Sequence, residues 1–128
     1  MTAFDIDPSL QDEPLDEAAL TRLVALAGPA DGPELMRRLI ADLAAVLGGL
    51  TTGFAAQDRD AIRRQCHVLL AIAGTIGAPH VYDLAQLLNQ TAQDASPGAA
   101  SPEAIDLLQR LSGLIDRLQR LSGQIGMG

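Results

Sequence analysis

An all-α fold, an up-and-down four-helix bundle preceded by a short additional helix, is what this sequence predicts, on three observations. Leu and Ala dominate while aromatic residues are reduced to Phe4, Phe54 and Tyr82, with no tryptophan, a composition that favours helix over a β sandwich. Apolar residues recur at helical rather than alternating spacing in every long segment. Short clusters of Gly, Pro and Ser separate the segments, and short connections make consecutive helices antiparallel neighbours. At 128 residues the chain fits one domain and can bury a real core.

Residues 1 to 14 combine Asp5, Asp7, Asp12 and Glu13 with Pro8 and Pro14, and they read as a loosely held acidic leader outside a domain spanning residues 15 to 126. Asp16 is placed to cap a first helix running to about Ala27, with Glu17 favourable in its first turn and Leu20, Leu23, Val24 and Ala27 as its apolar face. Gly28-Pro29 stops it. A second helix begins near Pro33 with Asp31 as its cap, keeps Leu35, Leu39, Leu43, Val46, Leu50 and Phe54 on one stripe, and runs to about Ala56. Gly48-Gly49 interrupts it at a cost of about 2 kcal/mol relative to two alanines. Either the helix bends there or another backbone approaches closely.

Asp58 or Asp60 caps a third helix that ends near Thr75 to Gly77. Pro79 opens a fourth, with Val81, Leu84, Ala85, Leu88 and Ala92 at helical spacing, and Ser96-Pro97-Gly98 closes it. Ser101-Pro102-Glu103 opens the fifth, with Ser101 as cap, in which Leu108, Leu111, Ile115, Leu118 and Ile125 follow a seven-residue spacing widened by Leu107, Leu114 and Leu121. That stripe suits a packed bundle helix. The competing reading, a coiled-coil seam to a partner, would have only about three heptads to work with. Leu-Gln-Arg-Leu-Ser-Gly occurs at Leu108 to Gly113 and again at Leu118 to Gly123, a local duplication rather than a solenoid repeat.

The net charge of −7, with no basic cluster longer than Arg37-Arg38 and Arg63-Arg64, argues against nucleic acid as a partner. Proteins are the expected partners. Cys66 is the sole cysteine, which excludes an intramolecular disulfide and a cysteine metal site and suits a reducing cytoplasm. The acidic N-terminus and the lack of an uninterrupted apolar run of about 18 residues indicate neither export nor a membrane span. No metal site is expected from His67 and His80, which lack nearby ligand partners, and His80 receives no role. Neither a Ser-His-Asp arrangement nor a glycine-rich phosphate loop is present, so a self-sufficient enzyme is not expected.

The stretch Gln65 to Ala78 carries the chemistry. At about 100° per residue, Ile62, Cys66, Leu69, Ala73 and Ile76 share the arc that a helix buries, whereas His67 lies off it with Arg63, Arg64, Ala71 and Gly74. The imidazole should face solvent, and the residues one and two turns beyond it are too small to cover it. This segment resembles the active segment of histidine-containing phosphotransfer (HPt) domains, whose pattern is His, any residue, Leu, Lys, Gly, a small-residue stretch, then an apolar residue followed by Gly-Ala. His67, Leu69, Ala73, Gly74, Ile76, Gly77 and Ala78 match in type and register. Leu50, Phe54 and Asp58 precede the histidine at the family's spacing, and the resemblance covers roughly residues 16 to 122.

The resemblance implies a helical bundle in which Nε2 of His67 accepts a phosphoryl group from a receiver-domain aspartate and passes it to another receiver. It also implies response-regulator receivers and a hybrid sensor kinase as partners, a monomeric cytoplasmic domain with no cofactor of its own, and Mg²⁺ supplied by the receiver. Two positions depart from the pattern, Leu70 where the family has lysine and Ala71 where it has glycine, and the chain contains no lysine at all. Arg63 and Arg64, one turn before His67, are the candidates to offset phosphoryl charge instead. Candidate receiver-docking residues are Leu70, Ala71 and Gly74, with Ala41, Ala44, Ala45 and Gly48 on the second helix, whose outward arc carries alanine where charge is usual. The alternative is a degenerate binding module that docks and regulates a receiver or kinase without being phosphorylated.

Overall fold

The structure, a computed structural model, describes residues 13–95, 98 and 101–126. Its elements are α1 (Glu17–Ala56), α2 (Arg59–Ile76), α3 (Pro79–Asp94) and α4 (Pro102–Gly126), with no strand among the described residues. Each helix packs on two neighbours in the ring α1, α2, α3, α4, which is the expected four-helix bundle. Leu43, Leu50, Phe54, Ile62, Leu69, Leu88, Leu107 and Leu111 lie among its core residues, all almost wholly buried.

The short additional helix is the first arm of α1. Only Gly28 leaves helical geometry, at φ 95° and ψ 171°, a conformation open to glycine, and the chain re-enters helix at Pro29, whose missing N–H needs no partner there. This corrects the expected cap, since Asp31 lies within the helix rather than before it. Gly32 is the residue the break depends on. A Cβ there would stand 2.6 Å from the Val24 carbonyl oxygen, so the two arms meet at a distance no larger residue allows. Leu20 and Val24 of the first arm join the common core.

Both alternatives at Gly48-Gly49 give way to a third. The helix stays regular, and Gly49 is approached by the side chain of Gln65 on α2, which a Cβ would meet at 2.6 Å, while Gly48 faces open space. Asp16 and Asp58 act as N-caps through Ala19 N–H and Ala61 N–H, at 2.9 and 3.1 Å. Asp58, not Asp60, therefore caps α2. Gln57 and Gly77, both in the left-handed region, turn the chain between α1 and α2 and between α2 and α3.

In α4 the buried stripe is Ala104, Leu107, Leu111, Leu114 and Leu118, with Ile115 beside it. Leu108, expected at its centre, is a partly buried flank, because the helix phase follows 3.6 residues per turn rather than seven-residue spacing. The stripe is consumed inside the bundle. Ser101 caps this helix, although its contact to Ala104 N–H is long at 3.4 Å.

Residues 1–12 of the expected leader, and Ser96-Pro97, lie outside the described residues. Glu13, counted with that leader, belongs to the fold: it is 4% exposed, and Oε1 accepts from the backbone N–H of His80 and Val81 at 2.6 and 2.9 Å. Ala78 offers α3 no side-chain cap, so a carboxylate from far upstream supplies one. Arg110 pairs with Glu13 at 3.4 Å, and Arg117 holds the Glu13 carbonyl at 2.7 Å and Glu17 at 3.0 Å. Arg59 serves the other end of α3, donating to the carbonyls of Ala92 and Gln93.

One 18-residue window of α1 is apolar enough on average to qualify as a membrane span by length and composition, which a search for uninterrupted apolar runs misses. Along residues 39–56 Leu43, Val46, Leu50 and Phe54 are buried in the bundle, Leu39, Ile40 and Leu47 are partly buried, and the outward positions are mostly Ala, Gly and Thr.

Candidate functional site

α2 divides its surface as its sequence dictates. Ile62, Cys66, Leu69, Ala73 and Ile76 are each no more than 1% exposed, and His67 stands exposed on the opposite side with Arg64, Val68, Ala71 and Gly74. Helical side chains lean toward the N-terminus, so a residue covers the turn before its own Cα. The imidazole of His67 therefore belongs with the turn of Arg63 and Arg64, and a pocket of about 280 Å³ is lined by Asp60, Arg63, Arg64 and His67. Arg63, Arg64 and His67 share one concavity.

The two arginines differ in setting. Arg64 is exposed, whereas Arg63 is half-buried and its Nε is buried without a hydrogen-bond partner. Neither forms an ion pair with Asp60 or any other carboxylate among the described residues. Cys66, next to the histidine in sequence, points into the core, where burial pushes its thiol up to about 11. It stays a protonated packing group beside an exposed imidazole.

Leu70 lies at the edge of the buried arc, partly buried against the core, and Ala71 and Gly74 continue the open lane beyond His67. Ala41, Ala44, Ala45 and Gly48 are all exposed on α1. The contact of α1 with α2 runs through Gly49 and Gln65, and Gln65 lies about 200° around α2 from His67, so this small-residue surface adjoins the other flank of α2. His80 is also exposed but does not line the pocket; its contribution is the backbone N–H given to Glu13. Among the described residues no three His, Cys, Asp or Glu side chains cluster as metal ligands.

Three participants were not assigned to the site from sequence. Asp60 was weighed only as a helix cap, although its place seven residues before His67 returns it to the same face. Val68 and Tyr82 are large, exposed apolar side chains beside the lane, the Tyr82 ring 3.8 Å from where a Cβ on Gly74 would stand. Val68 could have been found by extending the helical wheel, but Tyr82 comes from α3 and needs the packing of two helices.

A family model of the Hpt domain matches residues 34–122. The chain belongs to the Hpt domain family. It is thus a phosphotransfer module of two-component signalling, a type that interacts with response-regulator receiver domains. The match begins five residues after Pro29, so the first arm of α1 precedes it. Among solved structures, this Hpt domain is similar to the HPT domain of an Hpt sensor hybrid histidine kinase from Shewanella, with 19% identity and a TM-score of 0.67 over 84% of this chain and 92% of that one. At that identity the likeness establishes the shared fold. No curated protein matches the sequence.

Proposed function

We propose that this Hpt domain is a phosphorelay carrier in which His67 accepts a phosphoryl group from a receiver-domain aspartate and returns it to another receiver. The observation that carries the reading is an exposed imidazole, in the family register, opening on a pocket with two guanidiniums. Nε2 of the neutral ring attacks phosphorus with its lone pair, and the aspartyl carboxylate departs with the electrons of the broken P–O bond. Nδ1 keeps its proton, so none need be lost. Transfer of this kind is positioning and charge stabilisation, with little else for the protein to supply. The receiver brings its acidic pocket and Mg²⁺, and the domain requires no cofactor of its own.

Arg63 and Arg64 are the two candidates for the charge-offsetting role of the family lysine. Leu70, Ala71 and Gly74, with Ala41, Ala44, Ala45 and Gly48, form the face on which a receiver docks. Partners are response-regulator receivers and a hybrid sensor kinase, met by a monomeric domain in the cytoplasm. Incubation with a panel of phosphorylated receivers should yield acid-labile, base-stable phosphate on this chain. No transfer from any receiver that binds it contradicts the carrier reading.

Leu70 favours a second reading, a module that docks a receiver without being phosphorylated. Leu70→Lys separates the two: a lysine stem can follow the surface while its charge reaches a phosphoryl oxygen, at a cost of about 1 kcal/mol for a partly buried leucine. In a carrier the variant accepts phosphate faster or holds it longer. In a docking module it abolishes receiver binding, and the wild type binds without ever being phosphorylated.

A further inference from the structure

Resting on the reading of His67 as phosphoacceptor, we infer that Arg63 rather than Arg64 holds the phosphoryl oxygens, and that Asp60 is the counter-charge that competes with them for its guanidinium. The basis is the state of the arginines. Arg59, Arg110 and Arg117 spend their donors on carbonyls and carboxylates, while the half-buried Arg63 forms no ion pair among the described residues and lines a pocket shared with the imidazole. A half-buried guanidinium without a carboxylate partner, beside an exposed imidazole, has its outer donors left for an anion. Arg64 stands in solvent, where its charge is screened and its side chain is free to disperse.

Asp60 completes the arrangement. It lies one turn before Arg63, as Arg63 lies one turn before His67, so along this face Arg63 comes between a carboxylate and the site of an incoming phosphoryl group. Asp60 is exposed and forms no ion pair with Arg63 among the described residues, so it lowers the positive potential of the pocket without closing it. A phosphoryl group close to dianionic outbids a single exposed carboxylate for that guanidinium. On this basis phosphate is held from the N-terminal side of His67, where its ring leans, and the leucine at position 70 leaves that contact untouched.

Phosphoramidate tests this without a receiver, since it phosphorylates an exposed imidazole with ammonia leaving as the P–N bond of the donor breaks. ³¹P NMR then reports both the rate at His67 and the pH at which the bound phosphoryl group titrates. Arg63→Gln should slow labelling about threefold to tenfold, the range expected for one charge-assisted contact at a partly exposed site. It should also raise the titration pH, and Arg63→Lys should restore part of both. Arg64→Gln should change the rate less than about twofold, as a screened surface charge does. Asp60→Asn should speed labelling and lower the titration pH. Equal or larger effects from Arg64→Gln, or an Asp60→Asn variant that behaves as wild type, overturn the inference while leaving His67 as acceptor. Absence of label at His67 in the wild type removes the reading beneath it and the inference together.

Discussion

Cys66 and His67 are neighbours on one helix, and 100° of rotation puts the thiol in the core and the imidazole in solvent. The consequence for Cys66 is measurable. Burial raises its thiol from an ordinary 9.0 to about 11, so the unfolded chain loses that proton first as pH rises. The stability tied to the protonated thiol is whole below about pH 9 and drains away toward pH 11, by roughly 2 to 3 kcal/mol. Denaturant unfolding from pH 7 to 11 should show a steeper alkaline decline in wild type than in Cys66→Ala. Identical slopes would place the thiol in water. The division between buried and exposed positions on α2 was legible because it depends on spacing alone. The difference between Arg63 and Arg64 was not, since both lie off the stripe and only the surrounding helices decide which one loses its water.

At the scale of the helices, apolar spacing located every element, and its failures have physical causes. Val81, Ala85, Leu88 and Ala92 on α3 are buried as their spacing requires. Met36 is wholly buried although the stripe drawn through Leu35 and Leu39 passed it by, because it lies two turns before Leu43 on the arc that also holds Leu50, while Leu35 and Leu39 fall to the flanks. The doublet Gly48-Gly49 and the isolated Gly32 look alike in sequence yet differ in what surrounds them. Gly48→Ala, with open space around it, should stabilise the domain by about 1 kcal/mol from helix propensity. Gly32→Ala should destabilise it by about 1 to 3 kcal/mol, because the added carbon meets the Val24 carbonyl and the two arms of α1 must separate. Thermal unfolding of both variants checks the pair, and a stabilising Gly32→Ala would mean the break is not held by that contact.

Over the whole molecule, the bundle is tied by residues distant in sequence, which is where reading along the chain loses sight of it. Glu13 looked like one more leader carboxylate because its partners, the start of α3 and two arginines of α4, lie far along the chain. Deleting residues 1–12 should leave the melting temperature and receiver affinity unchanged, given how little apolar surface an acidic, proline-containing segment offers. Glu13→Ala should cost about 2 to 4 kcal/mol, since it strips the cap from α3 and leaves Arg110 short of a buried partner. A melting temperature equal to wild type in both would place Glu13 outside the fold. The central claim is that His67 carries phosphate, and transfer from a phosphorylated receiver to wild type, His80→Ala and His67→Gln tests it most directly. Wild type and His80→Ala should gain acid-labile, base-stable phosphate, while His67→Gln gains none and, its side chain being exposed, loses no more than about 0.5 kcal/mol of stability. Phosphate retained by a folded His67→Gln would contradict the account.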